Sequence, residues 1–133
     1  MSTEETIFTK IIKRELPSTI IYEDEESIAF IDIFPVSKGH ILVVSKEPYE
    51  WMTDVPDELL GRMFITAKKL MSAIKNGLGC DFVQVTVEGI NVPHFHIHLM
   101  PRYHGDGFAR WPTIKYETDE EKIEYAEKIK RSL

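Results

Sequence analysis

The spacing of apolar positions along the chain changes several times, and each change marks an element. Ile7, Phe8, Ile11 and Ile12 recur at helical intervals behind Ser2 and Glu5, a pair with capping-box spacing. This predicts a short first helix that stops near Leu16, because Pro17 disfavours helical geometry in the residue before it. "STIIYE" and "SIAFIDI" are β-branched and aromatic, with "DEE" between them as a turn, and "HILVVS" is a further strand after the loop "FPVSKG". Leu59, Leu60, Met63, Phe64, Ala67, Leu70, Met71 and Ile74 then form one helical stripe, with Asp57 and Glu58 suited to its start and Asn76-Gly77 to its stop. "DFVQVTVEG" and "VPHFHIHLM" return to a period of two, and a three-residue connection containing Gly89 would pair them as an antiparallel hairpin. A last helix is predicted from Thr118, which has capping-box spacing to Glu121. The sum is an α+β fold: a five-stranded antiparallel sheet with one long helix and shorter terminal helices.

Composition narrows the class without changing this picture. With no repeat, no low-complexity run and no linker-like stretch, residues 1–133 are expected to form a single domain. The net charge of -6 argues against non-specific binding to nucleic acid or anionic membranes, both of which need a basic surface. No apolar stretch approaches the roughly twenty residues that span a bilayer. The N-terminus lacks a secretory pattern, and Cys80 is the only cysteine, so a cytoplasmic, reducing setting is expected and a Cys-rich zinc site is not.

The chemistry concentrates in "VPHFHIHLMPR". The chain has 5 histidines, and His94, His96 and His98 alternate there. In a strand such residues share one face at intervals of about 6.7 Å, while Phe95, Ile97 and Leu99 point the other way and can pack under the long helix. Three readings fit. The histidines could simply decorate a polar outer face. They could bind zinc, copper or iron through neutral imidazoles, with His40 or His104 completing the site. Or one could attack phosphorus while its neighbours fix its tautomer and balance charge on the phosphoryl oxygens.

The pattern "HFHIHLM", with "MPR" closing the strand, resembles the signature of the histidine triad (HIT) family of nucleotide hydrolases and transferases. The resemblance extends over "IFTKIIKRELPSTIIYEDEESIAFIDIFPVSKGHILVVSKE" and covers roughly residues 7–112. It implies cleavage at the α-phosphate of a nucleoside phosphoramidate, dinucleoside polyphosphate or similar conjugate. His96 takes the position of the family's nucleophile, which is transiently nucleotidylated. His94 and His98 match the flanking triad members, and His40 matches a further histidine within the same network. Phe30, Asp32 and Ile33 match the nucleoside-pocket strand, where an Asp carboxylate accepts bonds from ribose hydroxyls, and Asn91 falls where a small polar residue reaches the phosphate. Read from the residues themselves, Phe30 could equally be core, and Asp32 could brace the "FPVSKG" loop.

The same resemblance implies a purine nucleotide (AMP-type) substrate, a homodimer, and no required cofactor or metal, with Mg2+ arriving only on polyphosphate substrates. Trp111 could reach a neighbouring subunit's pocket or pack its own loop. The chain departs from the pattern at "VEGINVPH", which is shorter than the Gly-Gln turn relatives carry, and it lacks the zinc-binding cysteines of some of them. Two rivals remain at this level: a metal-binding protein built on the same histidines, and a non-catalytic nucleotide-binding protein.

Overall fold

The computed structural model describes residues 5–108 and 112–133. Along the chain run α1 (Ile7–Ile12), β1 (Ile20–Glu23), β2 (Ser27–Ile31), β3 (Ile41–Ser45), a single 3-10 turn (Met52–Asp54), α2 (Asp57–Leu78), β4 (Phe82–Thr86), β5 (His96–Arg102) and α3 (Asp119–Lys130). All strand pairs are antiparallel, in the order β1-β2-β3-β5-β4. The α+β architecture expected from the pattern is therefore present. None of the described helices is long and apolar enough to cross a membrane.

Alternation along the central strands sorts the core into two layers. Ala29, Ile41, Val43, Ile97 and Leu99 face α2, where Leu59, Met63, Ala67, Leu70 and Ile74 cover them together with Phe95. Met63 lies in this core, while Phe64 and Met71 pack at its margin. Ile28, Phe30, Leu42 and Val44 face the opposite way and are closed over by Phe8 and Ile11 of α1. A sheet covered on both faces needs near-continuous apolar strands, which is how β2 and β3 read.

Four boundaries differ from the pattern's expectation. Thr6, not Ser2, caps α1: its side chain accepts from the Thr9 N–H, and Thr9 caps back in return. Ser2 itself lies outside the described residues. The helix ends at Ile12 rather than near Leu16 because Arg14 turns left-handed at φ 64°, where its guanidinium reaches the Ile11 carbonyl and Glu23. α2 runs past Asn76-Gly77 to Leu78 and stops at Gly79, whose φ of 68° lets its N–H return to the Lys75 carbonyl.

The fourth difference shapes the site. β4 and β5 do pair, but residues 87–95 lie between them instead of a three-residue turn. Pro93 has no N–H for the ladder, and the backbone around it bonds elsewhere. The Phe95 N–H donates to the Tyr49 carbonyl, the Phe95 carbonyl accepts from Ser45, and the His94 N–H donates to the Val92 carbonyl. His94 therefore sits ahead of β5, not within it.

Candidate active site

Register places the strand histidines against an apolar floor. His96 lies opposite Val44 and His98 opposite Leu42 on the neighbouring β3. Their rings stack edge to face, with centroids 4.8 Å apart, and Phe8 of α1 presses against His96 at 4.9 Å and His94 at 5.7 Å. Beside them opens a cavity of about 170 Å³, lined by Asp32, Leu42, Glu88, His96, His98 and the segment 89–92. A larger hollow of about 270 Å³ lies by Asp24, Glu26 and Arg62, but Asp24 there accepts from the β-turn backbone and Glu26 pairs with Arg62, leaving little chemistry to offer.

The hydrogen bonds fix which ring nitrogen carries each proton, because a carbonyl can only accept and a backbone N–H can only donate. His94 Nε2 donates to the Ser45 carbonyl at 2.6 Å, which leaves Nδ1 to accept from the Thr6 hydroxyl at 2.9 Å. His96 Nδ1 donates to the His94 carbonyl at 2.7 Å, so the neutral ring carries its lone pair on Nε2. His40 Nδ1 accepts from the Val36 N–H at 3.1 Å, so its Nε2 is protonated and donates to His98 Nδ1 at 2.9 Å. His98 in turn keeps its proton on Nε2. The two rings lining the cavity thus differ in kind: His96 offers a lone pair and His98 an N–H.

Burial favours these neutral forms. For His40, His94, His96 and His98, loss of solvation is the largest effect and pushes each imidazole below its ordinary value of 6.5. The Asp32 and Glu88 carboxylates pull His96 and His98 partly back up, as does the His94 carbonyl bonded to His96.

The remaining sequence-predicted residues separate. Asp32 lines the cavity and also braces its loop, its Oδ1 accepting from the Phe34 N–H at 2.9 Å while Oδ2 lies 3.6 Å from His40 Nε2. Asn91 lines the cavity. Phe30 is buried in the layer beneath, edge-on to Phe8, and Ile33 is 76% exposed on the loop; neither lines the cavity. His104 stands apart, its ring beside Phe82. Trp111 lies outside the described residues. Sequence reasoning missed Thr6 and Phe8 as ring partners. The signal available was a hydroxyl and an aromatic at the start of a helix predicted to cover the sheet.

Ligand atoms of Asp32, His40 and His98 lie within 4.8 Å of one another, a grouping that could hold a cation. A metal on His40 Nε2 would need the ring proton on Nδ1. The Val36 N–H already points there, so this network suits an imidazole relay better than ligation.

Comparison with known proteins points one way. The HIT domain family matches residues 13–105. An uncharacterized HIT-like protein of Methanocaldococcus jannaschii is 43% identical over 106 residues, covering 76% of this chain and 81% of its own. A purine nucleoside phosphoramidase of Escherichia coli is 38% identical over 105 residues, covering 73% and 87%. The crystal structure of a HIT family member from Bacillus subtilis superposes with a TM-score of 0.86 at 35% identity, covering 98% of each chain.

Proposed function

This chain belongs to the HIT domain family, and from that premise we propose that it cleaves a purine nucleoside phosphoramidate or dinucleoside polyphosphate at the α-phosphate through a nucleotidyl-His96 intermediate. The observation that carries this reading is the tautomer assignment, which leaves His96 Nε2 as an unprotonated nitrogen on a ring that lines the cavity. Nε2 attacks phosphorus, a phosphorus–nitrogen bond forms, and the leaving amine or phosphate departs with the electron pair of the broken bond and is protonated from solvent. The His96 ring is then cationic, and its Nδ1–H is already held by the His94 carbonyl beside the Asp32 and Glu88 charges. Water attacks the same phosphorus, loses a proton, and returns the bonding pair to Nε2. His98 Nε2–H, held by His40, donates to the phosphoryl oxygens during both steps.

Similarity to a phosphoramidase supports a purine substrate. Asp32 is the residue for the ribose hydroxyls and Asn91 for the phosphate. Among the described residues, the cavity lining carries two carboxylates and no lysine or arginine, which favours an amine leaving group over a polyphosphate. No cofactor is needed; magnesium enters only with a polyphosphate substrate. A homodimer in the cytoplasm completes the proposal. The test is turnover of a fluorogenic adenosine phosphoramidate by wild type and His96→Ala, with and without EDTA. Activity that survives EDTA and falls by about 10³-fold or more in the variant supports the reading. An active His96→Ala protein overturns it.

A further inference from the structure

The cavity residues do not account for His94, which is 0% exposed yet makes two ring hydrogen bonds and contributes its carbonyl to a third. Its Nδ1 needs a donor, because its single proton is committed to the Ser45 carbonyl through Nε2. The Thr6 hydroxyl, 2.9 Å away, is that donor. Thr6 is itself buried, 7% exposed, and is the residue from which α1 starts, so its hydroxyl cannot turn away without uncapping the helix. Two residues on, Phe8 packs against both His94 and His96. The N-terminus of α1 therefore grips the triad at two points, one polar and one apolar.

We propose that Thr6 is a positioning residue for the reaction: by donating to His94 Nδ1 it holds that ring neutral and in place, and through the His94 carbonyl it aims His96 Nε2 at phosphorus. This rests on the functional reading above. The segment carrying His94 lies outside the β-ladder, so the direction of that carbonyl is set by the Phe95 N–H of the same peptide plane, bonded to the Tyr49 carbonyl, together with the ties of the His94 ring. Without the hydroxyl the His94 ring loses one of its two tethers. A misaim of about 1 Å at a nucleophile is worth as much as 10²-fold in rate.

A hydroxyl that merely caps a helix can be told from one that donates to His94. Thr6→Ser keeps both functions, Thr6→Val keeps neither, and Thr6→Asp keeps the cap but can only accept. Opposite a carboxylate, His94 gains a second ring proton and becomes a cation beside His96. The expected result is that Thr6→Val and Thr6→Asp each lower kcat by about tenfold or more with little change in KM, and that Thr6→Ser recovers most of the activity. Thr6→Asp should remain folded at the assay temperature by circular dichroism, its Tm lowered by no more than that of Thr6→Val. Nitrogen-15 NMR of the imidazoles should show His94 as the Nε2–H tautomer in wild type and doubly protonated in Thr6→Asp. Wild-type kcat in Thr6→Asp would reduce Thr6 to a cap and overturn the proposal, as would a His94 tautomer with the proton on Nδ1. If no form of the protein turns over the substrate, the functional reading fails instead, and the NMR result alone still decides the Thr6–His94 relation.

Discussion

Side by side in the sequence, the three triad histidines look equivalent, and the structure gives them three different jobs. His94 is a buried strut, His96 carries the free lone pair, and His98 presents an N–H relayed from His40. Removing His94 should therefore damage the fold as well as the reaction. His94→Ala leaves the Thr6 hydroxyl and the Ser45 carbonyl without their partner and opens a void beside Phe8. Thr6 keeps its bonds to Thr9, so the Ser45 carbonyl is the orphan at about 1–3 kcal/mol and the void adds to it; urea denaturation should show a loss of about 2–4 kcal/mol. A change under about 1 kcal/mol would mean the ring is not a strut. The division of labour was only partly legible beforehand. Alternation put the rings on one side and Phe95, Ile97 and Leu99 on the other, and that much holds. What the spacing could not convey is that a backbone carbonyl, Ser45, and a hydroxyl far along the chain, Thr6, set the protons.

At the scale of elements, the long helix and the five strands were readable because their apolar periods are strong, and the places that resisted were those where backbone conformation overrides period. Arg14 ends α1 by turning left-handed, and Gly79 rather than Gly77 ends α2. The lip between β4 and β5 is the functional instance. A hairpin was the natural reading of two alternating segments, yet Pro93 and the bonds to Tyr49 and Ser45 draw the chain out over residues 87–95. Gly89 fixes the course of that lip. Its φ is 81°, and a Cβ there would stand 3.3 Å from the Trp51 ring. Gly89→Ala should cost about 1 kcal/mol through the left-handed backbone and displace the neighbouring Glu88 and Asn91. The expected kinetic effect is a several-fold rise in KM with a smaller change in kcat, measured by steady-state turnover. Unchanged KM would show that the lip does not touch the substrate.

For the whole molecule, four imidazoles, three of them buried and His98 half-buried, tie stability and activity to pH with one sign. Each is held below its ordinary value of 6.5, mainly by desolvation, so below 6.5 the unfolded chain binds more protons than the folded one. Stability is then fully present above 6.5 and is lost as pH falls from 6.5 through the lowered folded values. Thermal melts between about pH 7.5 and about pH 5.5 should show Tm falling toward acid. The acid limb of kcat/KM should lie below 6.5, because His96 stays unprotonated there. A limb above 6.5 would mean that the triad is charged at rest. The central claim is that Nε2 of His96 forms a bond to phosphorus, and trapping that bond tests it most directly. Wild-type protein mixed with adenosine phosphoramidate, quenched in base and digested, should yield the peptide spanning residues 92–102 heavier by one adenylyl group on His96, and His96→Ala should yield none. Turnover with no labelled peptide at any quench time, or a label on His94 or His98, would contradict the account.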